Sequence, residues 1–270
     1  MIFLKKGKII LKFYDKKGIV FAELNYAKEF FSNYEKHSHD RLCISGLTKG
    51  KISVEFHNQS IKYIQPNQLI VFNPKQVHVC KNSDIKSYDY FTFHFDTQWL
   101  KNLSTNYQIY FDNNIINNAE LYNQFIIIAQ DVIYNKNYNI QLKLENLLKN
   151  ILQLYATKYP IQNKDNTLLY EVQQYILLNI EEKLTLDDIS YKLGYTKEHI
   201  IRVFKKEFGL SPHAFLMNEK VNKAKTILQN SSNQTISQIA LELGFCDQSH
   251  LNKFFKRSYG ITPNDYKKSN

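Results

Sequence analysis

The sequence predicts an α+β protein of two domains, with a strand-rich first half that forms a β barrel or sandwich and a second half that is entirely helical. Three observations predict this class. Short runs of Ile, Val, Phe and Tyr are broken by turn residues up to about Asp96. Helical periodicity begins at Ala119, and the last hundred or so residues contain an internal repeat. A chain of 270 residues gives each of two domains enough length for its own core.

The strands of the first half show a period of two in Ile52–Phe56, Leu69–Phe72 and Tyr88–Phe95. The last of these runs separates two sets of side chains, which are Tyr88, Tyr90, Thr92 and His94 on one face and Asp89, Phe91, Phe93 and Phe95 on the other. The two faces of this strand therefore meet different surroundings.

Two amphipathic helices follow the strands. Their apolar stripes are Leu121, Phe125, Ile128 and Val132, then Ile140, Leu144, Leu147, Ile151 and Leu154. The second stripe approaches the spacing of a two-helix seam, which predicts a homodimer. The alternative is that this stripe packs back onto its own barrel. The predicted first domain covers residues 1–158, a polar linker covers 159–166, and the second domain covers 167–270.

The second domain contains a repeat of about fifty residues. A first set recurs after fifty positions: Leu186, Ile189, Leu193, Gly194 and Tyr195 become Ile236, Ile239, Leu243, Gly244 and Phe245. A second set recurs after fifty-one: Thr196, His199, Ile200, Arg202, Phe204, Lys205, Phe208, Gly209, Pro212 and Phe215 become Asp247, His250, Leu251, Lys253, Phe255, Lys256, Tyr259, Gly260, Pro263 and Tyr266.

Each copy of the repeat predicts a helix, a glycine turn and a second helix that Thr196 or Asp247 caps. This is the helix-turn-helix arrangement, whose second helix enters the DNA major groove with its N-terminus first. A helix from Pro212 to about Leu228 joins the two units and separates the second helix of one unit from that of the other. A helical bundle in which the repeat serves packing alone is disfavoured, because basic residues also repeat outside the core.

The predicted DNA contacts are the exposed residues of the two second helices and their caps. They are Thr196, Lys197, Glu198, Ile201, Arg202, Lys205, Asp247, Gln248, Ser249, Asn252, Lys253 and Lys256. Their side chains match base edges: Arg and Lys can donate to guanine, Gln and Asn can bind adenine, Glu can accept from cytosine, and Ile can cover a thymine methyl. Lys205 and Lys256 lie further back and are expected on phosphates.

The distribution of charge supports DNA binding by the second domain, whereas the total charge does not. The net charge is +10, but most of it lies in residues 1–160, so the total alone points to the wrong half. Lys192–Asn270, which contains the repeat, carries 13 Lys and Arg against 6 Asp and Glu. A basic surface beside the two predicted readers favours double-stranded DNA as the partner.

Residues Leu184–Lys268 resemble the DNA-binding domain of the AraC/XylS family, through LGY…FKKEFGLSP and IALELGF…FKRSYGITPNDY. The resemblance implies two helix-turn-helix units on one long helix, in a transcription regulator that is usually an activator and sometimes a repressor, with RNA polymerase as a candidate partner. Ile201 departs from a position that is often polar in the family, so reading by the first unit would depend more on Glu198 and Arg202.

The segments HSHD (His37–Asp40) and NPKQVH (Asn73–His78) resemble the cupin-type effector domain that precedes many such DNA-binding domains, over roughly Met1–Asp96. The resemblance implies a small β barrel whose cavity takes one small effector. The effector contacts that it implies are His37, His39, Arg41, His78, Cys80 and Tyr90.

Catalysis by this barrel is a weaker interpretation. Metal-binding cupins place three histidine ligands where His37, His39 and His78 lie, but Leu42 or Cys43 stands where their acidic ligand is expected, and Gln76 replaces their turn glycine. The prediction is therefore a regulator that is not an enzyme and has no cofactor or bound metal. A metal enzyme or metal sensor, or a regulator with no small ligand, remain the alternatives. His57 and His94 are predicted to have ordinary surface or packing roles.

Cysteine usage and hydropathy bear on location. Cys43, Cys80 and Cys246 are odd in number and have no metal-knuckle spacing, so free thiols in a reducing compartment are expected. No apolar run approaches the roughly 20 residues of a membrane span. The prediction is a cytoplasmic protein with no membrane partner.

Overall fold

The computed structural model describes residues 10–14, 19, 21–57, 59, 61–83, 87–103, 107–134, 139–160, 167–230 and 233–269. The predicted α+β class is confirmed, because all the described strands lie in the first half, with three helices beside them, and the described regular elements of the second half are helices. Among the described residues, no helix combines the length and the apolar character that crossing a membrane requires.

The strands form two main antiparallel sheets and one additional pair. In chain order they are β1 (Ile10–Tyr14), β2 (Ala22–Phe30), β3 (Tyr34–His37), β4 (Leu42–Lys49), β5 (Ile52–Phe56), β6 (Lys62–Ile64), β7 (Leu69–Phe72), β8 (His78–Asn82), β9 (Tyr88–Phe95), β10 (Tyr107–Tyr110), β11 (Ile115–Ile116) and β12 (Thr157–Pro160). The six-stranded sheet has the order β1-β2-β9-β4-β7-β11, and the four-stranded sheet has the order β3-β8-β5-β6. Side chains of both sheets share one buried cluster, so the two sheets enclose the barrel interior.

Strand β9 has two buried faces, and each meets a different core. Tyr90 packs with the barrel interior. Phe93 and Phe95 belong to a second cluster outside the sheet, where the ring of Phe93 meets that of Phe125 edge-on at 5.4 Å. The period of two therefore separates the barrel interior from the helices outside it, rather than interior from solvent.

The outer core of the first half is completed by α1 (Thr97–Leu103), α2 (Ala119–Tyr134) and α3 (Ile140–Tyr155). Both predicted amphipathic helices are present. The seam predicted on α3 faces its own domain, because Ile140, Leu144, Leu147 and Ile151 are buried in the outer core. Leu154 alone of that stripe is exposed, at 64%. The alternative of packing back onto the barrel describes this stripe correctly.

The second half contains seven helices among its described residues. They are α4 (Thr167–Leu178), α5 (Leu186–Leu193), α6 (Lys197–Phe208), α7 (Pro212–Gln229), α8 (Ile236–Glu242), α9 (Gln248–Tyr259) and α10 (Pro263–Ser269). They share one apolar cluster. The residues of the predicted linker that precede Ile161 form the end of β12, which pairs with β10, and residues 161–166 lie outside the described part of the chain.

Helix α7 connects the two repeat units and also faces the barrel. Its apolar side joins the helical core. Four polar side chains recur at helical spacing on the face toward the first half and are buried: Asn218, Glu219, Asn222 and Lys225. A polar face is buried here because the barrel supplies partners for it.

Candidate functional site

The first recognition helix, α6, begins as predicted. The hydroxyl of Thr196 accepts a hydrogen bond from the backbone N–H of His199, and Gly194 ends α5 in the left-handed region with φ 73°. The predicted readers on α6 are exposed except Ile201, which is half-buried: Lys197, Glu198, Arg202 and Lys205. The ammonium of Lys197 lies 2.7 Å from Asp187 of α5, so this lysine is already engaged at the surface.

The second recognition helix, α9, has the same start and a different environment. Asp247 caps it by accepting from the backbone N–H of His250. The predicted contacts Asp247, Gln248, Ser249, Lys253 and Lys256 are exposed, and Asn252 is half-buried. The buried Oδ1 of Asn252 has no hydrogen-bond partner among the described residues. This amide therefore has unused capacity for hydrogen bonding.

The C-terminal half of α9 lies against the barrel. Nε of Arg257 is 3.1 Å from a carboxylate oxygen of Glu35 in β3. A groove runs between the two halves and is lined by Phe30, Ser32, Asn33, Glu35, Lys253, Lys256, Arg257 and Gly260. Tyr259, at the end of α9, is buried, and the centre of its ring lies 5.7 Å from that of His39.

A cavity of about 60 Å³ lies inside the barrel, beneath α9. A water occupies roughly 30 Å³ in the liquid, so the cavity has room for only a few waters. It is lined by Asn25, Tyr34, His37, His39, Cys43, Ser45, Ile52, Phe72, His78, Cys80, Tyr88, Tyr90, Thr92, His94, Ser258 and Tyr259. Thus two residues of the second recognition helix complete the wall of a cavity in the other half.

Five of the six predicted effector contacts line this cavity, and Arg41 does not. Arg41 donates through Nη2 to Oε1 of Gln229 at 3.0 Å, and its Nη1 lies 3.9 Å from Glu23. It precedes β4, in the segment on which α7 packs, so the helical half draws its side chain away from the barrel interior. The prediction for Arg41 as a cavity contact is therefore corrected.

His94 lines the cavity, whereas the sequence prediction gave it an ordinary packing role. Its Nδ1 lies 3.0 Å from the thiol sulfur of Cys43. The signal was present, because His94 shares the face of β9 with Tyr90. Ser258 and Tyr259 had no such signal, since their contact with the cavity depends on how the two halves meet. His57 keeps a packing role, donating to the carbonyl of Lys206 at 2.7 Å.

Burial keeps the cavity histidines and thiols neutral. It lowers the pKa of His37 to about 4 and holds the pKa values of His39, His78 and His94 well below their usual range. Burial also raises the pKa of the Cys43 and Cys80 thiols to about 12. These thiols are weak nucleophiles at neutral pH.

A buried ionic network joins the two halves beside the cavity. Glu23 of β2 accepts from the ammonium of Lys225 at 2.5 Å and from the hydroxyl of Tyr266 at 2.6 Å. Glu23 is 0% exposed and Lys225 is 5% exposed. Burial lowers the pKa of Lys225, and the carboxylate of Glu23 opposes that effect. Two opposite charges buried in this way stabilise each other, and removing either one would leave the other buried without its main partner.

The sequence matches two protein families. Residues 189–269 match a helix-turn-helix domain, and residues 21–166 match the AraC-like ligand binding domain. The transcriptional regulator YbfI of Bacillus subtilis is 26% identical over 83% of this chain and 83% of its own length. The multiple antibiotic resistance protein MarA of Escherichia coli is 31% identical over 40% of this chain and 85% of its own length.

Solved structures of ToxT from Vibrio cholerae share the fold. One has a TM-score of 0.56 at 13% identity and covers 92% of this chain and 96% of ToxT. Another, with an unsaturated fatty acid bound, has a TM-score of 0.54 at 12% identity and covers 96% and 94%. At this identity the likeness concerns the arrangement of the backbone alone.

Proposed function

This chain belongs to the family of transcription regulators that join an AraC-like ligand binding domain to a helix-turn-helix domain, and from that premise we propose how its two halves work together. The chain reads double-stranded DNA through α6 and α9, and a small effector in the barrel cavity controls how α9 is held. The observation that carries this proposal is that Ser258 and Tyr259 of α9 form part of the cavity wall.

DNA reading is assigned to the N-terminal ends of the two recognition helices. Arg202 and Lys253 are exposed donors suited to guanine. Gln248 and the half-buried Asn252, one helical turn apart, carry amides suited to adenine. Because the two helices carry different side chains, one chain would recognise an asymmetric site. Helix α7 has 18 residues and a length of roughly 27 Å, which is compatible with readers in successive major grooves about 34 Å apart.

The effector is proposed to be small and polar. One ToxT structure contains an unsaturated fatty acid, but the cavity of this chain, at about 60 Å³, has room for only a few waters. Its wall carries imidazoles, hydroxyls and an amide, which are groups that recognise a compact polar molecule. We assign binding rather than catalysis to this cavity, because the relatives are regulators and the thiols lining it are protonated.

We propose self-association through the exposed faces of α2 and α3, which include Leu154 but none of the buried residues of the predicted seam. The two helices expose the apolar side chains of Ile127, Tyr134, Leu142 and Leu154. Light scattering of the full chain is expected to give a dimer, and Leu154→Glu is expected to shift it toward monomer. A wild-type chain that stays monomeric at high micromolar concentration contradicts this assignment.

The proposed compartment and protein partner of the chain follow from DNA recognition. We propose that the protein acts in the cytoplasm, where bacterial chromosomal DNA lies, and that it contacts RNA polymerase at promoters as an activator. A reporter fused to a bound promoter would rise with expression of the chain. A fall in the reporter would assign repression instead.

Selection from a random DNA library tests the central proposal. The full chain is expected to enrich one asymmetric motif whose two elements lie about 10 base pairs apart. The matched control carries Arg202→Ala and Lys253→Ala together, which removes one predicted base contact from each unit. Recovery of the same motif by this variant, or of no motif by the wild type, would show that α6 and α9 are not the readers.

A further inference from the structure

Three histidines converge at the floor of the cavity. His37 and His78 are directly paired across β3 and β8, so their side chains project side by side. The ring of His39 lies 4.6 Å from that of His37 and 5.3 Å from that of His78, measured between centroids. One ring nitrogen of each histidine lies within 4.8 Å of the others.

Backbone carbonyls fix the tautomers of two of these rings. Nδ1–H of His37 donates to the carbonyl of Glu35 at 2.6 Å, and Nδ1–H of His78 donates to the carbonyl of Gln76 at 2.8 Å. Each ring therefore carries its proton on Nδ1 and keeps a lone pair on Nε2. The same pattern orients histidines that bind metal ions, because the outer hydrogen bond sets the tautomer and raises the basicity of the ligand.

The third histidine, His39, can change its tautomer. Nε2 of His39 lies 3.1 Å from Nε2 of His37, so in this arrangement His39 donates to it. Nδ1 of His39 is buried and has no hydrogen-bond partner among the described residues. Moving the proton to Nδ1 gives up the hydrogen bond from His39 to His37 and leaves a lone pair on Nε2 of His39, so all three Nε2 atoms can then bind an ion.

We propose that His37, His39 and His78 bind a divalent first-row transition metal ion of the class that prefers imidazole, such as Zn²⁺, through their Nε2 atoms. Zn–N bonds of about 2.1 Å in a tetrahedron place the nitrogens roughly 3.4 Å apart. The 3.1 Å between His37 and His39 is already near that value. Small rotations of the rings would bring the third nitrogen into range.

The fourth coordination position opens into the cavity. Three neutral imidazoles leave the ion with its full double charge in a buried space, which favours a water that loses its proton or a small anion. Ser258 and Tyr259 form the cavity wall that α9 supplies. A metal-bound anion would thus contact the second recognition helix. This consequence rests on the proposed sensing function, whereas metal binding itself does not.

Titration of the metal-stripped full chain tests the site. Co²⁺ serves as the spectroscopic probe, and Zn²⁺ is measured by competition with a chromophoric chelator. The wild type is expected to bind one ion per chain, with the intense visible bands of low-coordinate Co²⁺. His78→Gln and His37→Gln are expected to weaken Zn²⁺ binding by at least about 100-fold. His213→Gln, on the exposed start of α7, is the control and is expected to bind as the wild type does.

DNA selection with the same variants separates the outcomes. A His78→Gln chain that loses the ion and still enriches the wild-type motif is folded, and its loss of metal supports the site. If this variant binds neither the motif nor the ion, circular dichroism spectra show which of His78→Gln and His37→Gln has folded, and metal binding by the folded variant then decides between support and rejection. Wild type that binds no stoichiometric ion, or a folded variant with unchanged affinity, overturns the metal site and leaves the DNA-binding function intact.

Discussion

The two recognition helices repeat each other in sequence but stand in different surroundings. Helix α6 meets the barrel at its C-terminal end, where His57 contacts Lys206 and where a Cβ on Gly209 would lie 2.6 Å from the His57 ring. Helix α9 lies along β3, pairs with Glu35 and places Tyr259 in the cavity wall. Two helices with similar sequences thus contact the barrel in different ways.

This difference indicates how a signal from the cavity would be directed. A change at His39 reaches the ring of Tyr259 directly, whereas the hydrogen bond that joins α6 to the barrel among the described residues is made by His57, which does not line the cavity. The second unit is therefore the one whose position depends on the effector domain. The first unit meets the barrel outside the cavity, so we expect its DNA contacts to depend less on the effector.

Breaking the network that holds the halves together should have the largest effect on this difference. Lys225→Met removes the nearer cation of the buried carboxylate of Glu23 and leaves, among the described residues, only the guanidinium of Arg41 at 3.9 Å. Removing one partner of a buried ion pair costs about 3–5 kcal/mol. Thermal unfolding should show this loss, and hydrogen exchange of α9 should rise toward that of α6. The control is Lys223→Met, whose exposed pair with Glu181 is worth about 1 kcal/mol or less. Equal effects of the two variants would contradict a stabilising role for the network.

Removing one reader from each helix should sharpen the comparison. Arg202→Ala in α6 and Asn252→Ala in α9 are each expected to cost about 1–3 kcal/mol at the selected site and to relax the preference at one base pair. Fluorescence anisotropy with sites changed one base pair at a time measures both effects. Effector or metal should alter the affinity lost in Asn252→Ala more than that lost in Arg202→Ala. A loss that is the same for every DNA sequence would instead assign the residue to phosphate contact.

The sequence predicted what depends on local pattern. The repeat predicted both units, and the caps at Thr196 and Asp247 were confirmed, because capping needs only neighbouring residues. Arg41 was predicted to line the cavity and does not, and nothing in the sequence indicated that Tyr259 would line it, since the partners of both residues come from the other half of the chain. The four polar residues that α7 buries against the barrel also had no visible reason in the sequence, because each of them has a partner in the other half of the chain.

The stability of the contact between α7 and the barrel should also depend on pH. Burial and the nearby carboxylate of Asp40 raise the pKa of Glu219 from 4.5 to about 7, while the ammonium of Lys75 and the amide of Asn218 oppose this. A carboxyl with a raised pKa binds its proton more tightly when folded. Its contribution to stability is therefore complete below about pH 4.5 and is lost as the pH rises through 7.

Unfolding midpoints measured from pH 6 to pH 8 should reveal this loss, which corresponds to about 1 kcal/mol for a carboxyl with this shift. Glu219→Gln keeps the side chain neutral and should flatten the dependence over that interval. Glu242→Gln, on the exposed face of α8, is the control. A pH profile that Glu219→Gln leaves unchanged would assign the titration to another group, with Asp40 the first to examine.

The smallest expected difference concerns the two lysines at the backs of the recognition helices. Lys205 of α6 is exposed, and Lys256 of α9 lies in the groove beside Glu35. A lysine that meets phosphate adds nearly one unit to the slope of log affinity against log salt concentration. Lys205→Ala should therefore reduce that slope by about 0.9, and Lys256→Ala by less, because the carboxylate of Glu35 competes for the charge in the docked arrangement. Equal reductions would show that α9 leaves the barrel when DNA binds, so that both lysines reach the phosphates alike.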